Sequence, residues 1–446
     1  MNDKIIQIIN TMPINAFELR KELSTMNIVD IGELFDNLSK EKTIQLFRLL
    51  PKGIAANVFA YIETDKQKII VEALTDNEVG NIIGGLFADD AVDFIEEMPA
   101  NVVSRVLRSV NAEKRAIINR LLQYPDGSVG GMMTTEYMTL REDHNLLEAI
   151  EEIRKKKMKG LHTCYVIRRD KLLVGTVSLK MLLLAKEHER IGDIMHPNVI
   201  SAETHDDQEK AAILFRKYDL LSLPIVDKEG RMVGIITVDD AVEIVEEETT
   251  EDFEKMAAIL PSEDPYLKTG AFKHAYRRVG WLLILMIAAI FTEMIIYDME
   301  ELLATLPALF VFVPMLMDMG GNVGSQTSTL IIRSMALDEI AFKDILKIWW
   351  REIRIAVLCG IVLSLVNAAR VIIFNTGDVW LTITVTLTLL TVVVISKSLG
   401  CLLPMAAKKI KLDPAILATP IIKTIADVIA LVMYFAIASV LIPELR

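Results

Sequence analysis

Six ionisable side chains fall within long apolar runs of this 446-residue chain: Glu293, Asp318, Arg370, Lys397, Lys423 and Asp427. Charge in hydrocarbon is costly and persists where it is paired, hydrated or used, so each is a candidate for handling an ion. Arg370 stands near one end of its run, where a long stem carries the guanidinium to water, and Lys397 has the same option at the opposite side. Asp427 has no such option, because its side chain is short and it lies about 21 Å along its helix at 1.5 Å per residue. A lone carboxylate at that depth must take a proton or a cation.

A second constellation, Pro314-Met-Leu-Met-Asp318-Met-Gly-Gly-Asn322-Val-Gly324-Ser-Gln326-Thr-Ser-Thr329, puts amides, hydroxyls and glycines in one apolar run. Gly320 and Gly324 form a small-xxx-small pair that reads as helix packing. Packing alone does not call for Asn322 and Gln326, whereas polar backbone at membrane depth suits a water-filled cavity. The stretch is therefore expected to line a pore.

The elements that must hold these residues are five apolar runs of about 20 residues or more. They are Val279–Tyr297, a long glycine-broken Leu303–Ile332, Ala356–Phe374, Trp380–Leu403 and Ala415–Leu441. The segments after the second and fourth runs carry Arg333, Lys343, Lys347, Arg351, Arg354 and Lys408, Lys409, Lys411. The opposite connections carry Asp298, Glu300, Glu301 and Asp378. By the basic-inside bias, the basic segments and the amino terminus are cytosolic, and the carboxyl terminus lies outside.

Residues 1–270 differ in kind, with 33 basic against 47 acidic side chains, whereas the remainder has 15 against 13. Such acidity argues against nucleic acid, which needs a basic surface. Cys164, Cys359 and Cys401 lie too far apart to suggest a disulfide framework or a thiolate site. The first residues are amphipathic and charged, unlike a signal peptide. An enzyme finds no support, since neither a His cluster nor an intramembrane nucleophile–base pair is visible.

Leu38, Leu50, Ile62, Leu74, Leu86, Met98 and Val110 recur every 12 residues, the length of a short helix and its turn, and predict a stacked helical superhelix. Within it Asp89, Asp93 and Glu97 share one helical face, and like charges at that spacing repel. From about 130 to 250 a strand–helix–strand–strand–helix unit occurs twice. Met133–Leu140 parallels Met195–Ala202, and Leu173–Lys180 parallels Met232–Asp239. The pair resembles tandem CBS domains, which in many proteins hold an adenosine nucleotide. That resemblance places one weak ATP site at Thr237 and Asp240; the first repeat has Ser178 and Met181 there. Acid is densest at residues 201–270, with 18 acidic against 7 basic groups, and the run Asp239–Glu254 reads as one helix leading to the first span. Hard divalent cations with oxygen ligands are its natural partner.

Helical superhelix, CBS pair, acidic connecting helix and five-span α-helical transmembrane domain resemble, in this order, the MgtE family of magnesium channels. The motifs are Gly320-Gly-Asn322-Val-Gly324-Ser-Gln326 with Leu330-Ile-Ile-Arg333, and Asp413-Pro-Ala415, Pro420 and Asp427. The expected domains are 1–128, 129–248 (two CBS modules, about 129–190 and 191–248), a connecting, plug-like helix at 249–277, and 278–446. The resemblance implies a plasma-membrane homodimer in contact with lipid, conducting Mg2+ along its twofold axis. Asp427, Asn322, Gly321 and Gly324 would then serve the pore. Cytosolic Mg2+ would be sensed at Asp89, Asp93, Asp207, Glu209, Asp219, Asp240, Glu248, Glu251 and Asp252.

Glu293, Asp318, Lys397 and Lys423 stand where the family usually has small or uncharged residues. Lys423 lies one turn from Asp427, where it favours the carboxylate's charged form yet repels an incoming dication. Pairing of Asp318 with Lys423 would leave Asp427 free. Two rival functions remain: a CBS-regulated secondary transporter of another divalent cation coupled to Na+ or H+, and a membrane-anchored Mg2+ sensor without conduction.

Overall fold

The 12-residue recurrence is the spacing of helix ends. In the computed structural model, which describes residues 16–156, 158, 161–262, 266–267, 269–374, 379–417 and 419–443, Leu50, Leu74, Leu86 and Val110 each cap a helix in extended backbone. Each of them turns a buried side chain inward. Helix starts are equally local: Thr75 and Glu78 close a capping box, and Asn111 accepts from the amide of Lys114. From Ala16–Leu23 to Ala112–Leu121, all but one of the helices with a next-but-one neighbour pack against it, which makes a two-layered superhelix. Phe35, Phe47 and Phe59, also 12 apart, stack edge to face at 6.3 and 6.0 Å, and Phe59 continues to Phe94 at 5.3 Å. Helix α1 (Ala88–Glu96) belongs to this stack and buries Ala91, Val92, Phe94 and Ile95.

Each CBS-like repeat forms a three-stranded sheet. Strand β1 (Thr139–Arg141) runs parallel to β2 (Thr163–Ile167), which pairs antiparallel with β3 (Leu173–Ser178). Strands β4 (Ala202–Glu203), β5 (Ser222–Val226) and β6 (Met232–Thr237) repeat that topology. Thr163 faces Ser178 as Ser222 faces Thr237, and both sheets shift register at the corresponding place, so the offset of 59 in sequence is an offset in register.

Two compact units divide the chain at Val245 and Glu246. Helix α2 (Val238–Met256) crosses that division as one element, as the acidic run predicts. The connecting helix placed at 249–277 needs correcting: α2 ends at Met256, the described segment 257–262 is not helical, and the next helix is α3 (Ala271–Asp298). Pro261, which has no amide hydrogen to offer a helix, lies in that segment.

Among the described residues five helices are long and apolar enough to cross a membrane. They are α3, the span Pro307–Ala336 with α4 (Val313–Ala336), Phe342–Ile373 with α5 (Ile345–Phe374), α6 (Val379–Lys409) and Pro414–Leu441 with α7 (Thr419–Leu441). Helices α3, α5 and α6 run past the apolar windows at both ends or one, because helix propagates into the polar flanks once nucleated. The second span is not broken at its glycines: α4 is continuous through Gly320, Gly321 and Gly324, and the irregular part is the 3-10 turn Pro307–Phe312. Helix α6 is central, packed on α4, α5 and α7, while α3 has no buried residue within the chain. Asp378 lies outside the described residues.

Candidate functional site

Helix α4 has two faces. Gly320, Gly321, Gly324, Thr327 and Ser328 are buried, whereas Asp318, Asn322, Gln326 and Thr329 are exposed on the other side. The glycines answer to packing. A methyl at Gly324 would stand 2.9 Å from Ile422 Cγ2 and 3.3 Å from the Ser396 carbonyl oxygen, and one at Gly320 would stand 3.0 Å from Val392 Cγ1. A methyl at Gly321 would come within 2.6 Å of Lys423 Cγ, so the lysine stem lies across that position. Gly321 and Gly324 therefore serve helix contact here, and the polar face is carried by Asp318, Asn322 and Gln326.

Asn322 Nδ2 donates to Asp318 Oδ2 at 3.0 Å, and Lys423 Nζ stands 3.8 Å from Asp318 Oδ1. One turn further along α7, Asp427 is half-buried, and its Oδ1 is buried with no hydrogen-bond partner. The expected pair of Asp318 with Lys423 is present, and Asp427 is outside it.

The remaining intramembrane charges are accounted for separately. Lys397 is buried rather than open to water, with Nζ 3.1 Å from Thr327 Oγ1 and 3.5 Å from Glu352 Oε2. Sequence reading missed Glu352, because the third apolar run begins at Ala356 while its helix begins at Ile345. Arg370 is exposed, and its guanidinium sits 5.8 Å from the centre of the Phe312 ring. Glu293 is exposed on α3.

In the amino-terminal unit, α1 brings Asp89 and Asp93 to the start of α2. Glu136 fixes that approach: its Oε2 accepts from the Ala88 amide at 3.3 Å, and its Oε1 meets Lys114 Nζ at 3.1 Å. Burial, then repulsion from Asp240 and Asp90, pushes Asp89 up to about 8. Asp93, more open, is raised to about 7 by loss of water and by Asp90 and Glu243. Asp240 is raised by burial too, although Thr237 Oγ1 and amide donate to its Oδ2 at 2.6 and 3.1 Å. Asp89 Oδ1 is buried without a hydrogen-bond partner among the described residues. Glu97 ends α1 as its C-cap and is not among the groups that raise Asp89.

Other expected sensor residues are spread out. Asp207 caps the helix Gln208–Tyr218 by accepting from the Glu209 amide at 2.9 Å, and Asp219 ends that helix in the left-handed region. In the second unit Lys255 bridges Glu251 and Asp413, at 2.7 Å each, while burial and Asp413 raise Asp252. Glu248 lies on α2. Among the described residues no three His, Cys, Asp or Glu side chains form a group that could hold a metal ion directly.

The MgtE divalent cation transporter domain matches residues 313–437, the MgtE intracellular N domain residues 26–127, and CBS domains residues 129–188 and 191–247. The magnesium transporter MgtE of Thermus thermophilus is 32% identical over 430 residues, 95% of each chain. That of Bacillus subtilis is 30% identical over 96% of this chain and 95% of its own. The crystal structure of the soluble part of a magnesium transporter aligns with TM-score 0.52 at 25% identity, covering 55% of this chain and 97% of its own.

Proposed function

The chain belongs to the MgtE family of divalent cation transporters, and we propose that it is a magnesium channel closed by cytosolic magnesium. One observation carries this reading: Asp427 keeps a buried, unpartnered carboxylate oxygen within a span, beside the exposed polar face of α4. That combination is costly next to lipid and useful next to passing hydrated cations. An octahedral aquo-ion needs oxygen acceptors for its waters rather than direct ligands, and Asp427 with the amides of Asn322 and Gln326 offers them. The chain would act as a homodimer with the amino terminus in the cytosol. An exposed Glu293 on a helix with nothing buried supports a second copy covering part of α3.

Gating follows from linkage. Asp89, Asp93 and Asp240 are held together against their repulsion, and a cation among them would favour that arrangement over a separated one. Magnesium shifts such a balance only by binding the compact state more tightly. As it falls, the acidic faces part and the pore opens. A nucleotide at the second CBS module would have to displace the Thr237–Asp240 hydrogen bonds, which makes ATP secondary to the ion.

Magnesium flux into liposomes holding the full chain, with internal magnesium varied, is the test. Wild type should slow as internal magnesium rises, and Asp427→Ala should carry at most a few per cent of wild-type flux. Undiminished flux in Asp427→Ala would remove this residue from the pathway.

A further inference from the structure

Lys423 is left over by the proposed function: an ammonium one helical turn from the carboxylate that is to hold a dication. Its placement is specific. The stem crosses Gly321, where a side chain would collide with Cγ at 2.6 Å, and Nζ reaches Asp318 Oδ1 at 3.8 Å. Asn322 orients the same carboxylate from its other oxygen at 3.0 Å. Asp318, oriented by Asn322 on the same exposed face, thus holds the Lys423 ammonium, while Asp427 one turn from Lys423 stays without a hydrogen bond at Oδ1. Glycine at 321 and asparagine at 322 both favour that position.

We propose that Lys423 is a tethered counter-cation, parked on Asp318, that weakens the hold of Asp427 on a dication and so speeds its release. This rests on the reading that ions pass Asp427. Conduction needs a site strong enough to admit an ion and weak enough to let it go. A fixed positive charge within a turn lowers the attraction of a doubly charged ion more than that of a singly charged one, because the Coulomb energy scales with the ion's charge. Asp318 is the second half of the device: it keeps the ammonium from swinging the one turn to Asp427 and neutralising it. Asp318 therefore sets transport without binding the ion, and Lys423 sets affinity against speed.

The test is a double-variant cycle in liposomes at matched incorporation, reading half-saturating magnesium separately from maximal flux. Methionine at 423 keeps the stem that packs on Gly321. Lys423→Met should lower half-saturating magnesium roughly tenfold and lower maximal flux as well, as tighter binding slows release. Asp318→Asn should cut flux by about tenfold or more, since the freed ammonium then pairs with Asp427. Adding Lys423→Met to Asp318→Asn should recover most of that loss, an outcome that mere destabilisation by Asp318→Asn would not give. If the double variant conducts no better than Asp318→Asn, or if Lys423→Met leaves half-saturation unchanged, the tether is overturned. Asp427→Ala run beside them separates the two readings: flux that survives its loss sinks the pathway itself, whereas an additive cycle with a dead Asp427→Ala sinks the role of Lys423 alone.

Discussion

In the amino-terminal unit, Asp89, Asp93 and Asp240 crowd one another, and all three carboxylates are pushed upward. In the membrane-spanning unit, Glu352 meets Lys397 at 3.5 Å and Asp318 meets Lys423 at 3.8 Å. The contrast follows from the surroundings. A partly wet surface lets carboxylates take up protons or hydrated cations on demand, so like charges can be stored there and released. A site at bilayer depth has no such supply, and a charge must bring its partner on a neighbouring helix. By this measure Asp427 is out of place: it lies in a span yet has a buried oxygen without a hydrogen bond, as Asp89 has. On the proposed function, these are the two places where a hydrated cation would serve as the partner.

The largest effect on stability is expected where the pairing rule is strictest. Lys397, Glu352 and Thr327 tie α4, α5 and α6 through buried groups. Lys397→Met leaves Glu352 with little exposure and no base, and should cost roughly 3–5 kcal/mol. Adding Glu352→Leu removes the stranded charge and should restore most of that loss, because a well-packed apolar pair replaces a buried ion pair at little cost. Thermal unfolding of the detergent-solubilised full chain reads both variants. A single variant as stable as wild type would mean that water reaches Glu352, and the contrast between the two units would blur.

Glu352 also shows where sequence reading stops. Leu50, Leu74 and Phe47 announce a superhelix because a 12-residue unit repeats its own capping and packing, and the two sheets announce themselves by a shared offset. Those signals are local. The partner of Lys397 is 45 residues away on another helix, in a stretch whose bases suggested a loop. Gly320 and Gly324 read in sequence as a small-xxx-small packing pair, but only the fold names the neighbours they let approach, Val392 and Ile422. The pair of Asp318 with Lys423 was legible because charge balance beside Asp427 demanded it. That Asp89 faces Asp240, 151 residues on, needed the fold, since nothing in either segment names the other.

A smaller effect is expected where like charges are stored. Asp89→Asn removes a carboxylate flanked by Asp90, Asp93 and Asp240. It should stabilise the compact amino-terminal unit by roughly 1–3 kcal/mol at pH 8 in the absence of magnesium, a figure well below the full shift because the site can hydrate. Asp89 and Asp93 bind protons more tightly when folded together, so their contribution is intact below the ordinary carboxylate range. It is lost as pH rises through about 7 and about 8. On the proposed gating, magnesium would have to displace those protons, so protection from protease by magnesium should strengthen from pH 6 to pH 8 in wild type and vary less in Asp89→Asn. A wild-type response independent of pH would show that these acids are already ionised and hydrated.

The smallest effect is expected at Arg370, an exposed charge on a long stem near the end of its apolar run. Arg370 is exposed and rests its guanidinium on Phe312 at 5.8 Å. A contact of that kind at an open site contributes about 0.5–1 kcal/mol, and the long stem lets the charge seek the interface. Arg370→Gln should therefore lower stability by less than about 1 kcal/mol and leave magnesium flux near that of wild type. Lys397→Met in the same assay is the internal standard. Should Arg370→Gln prove as damaging as that variant, Arg370 would have to be counted among the buried charges, with a partner supplied from outside the chain, and depth alone would no longer predict which membrane charges must be paired.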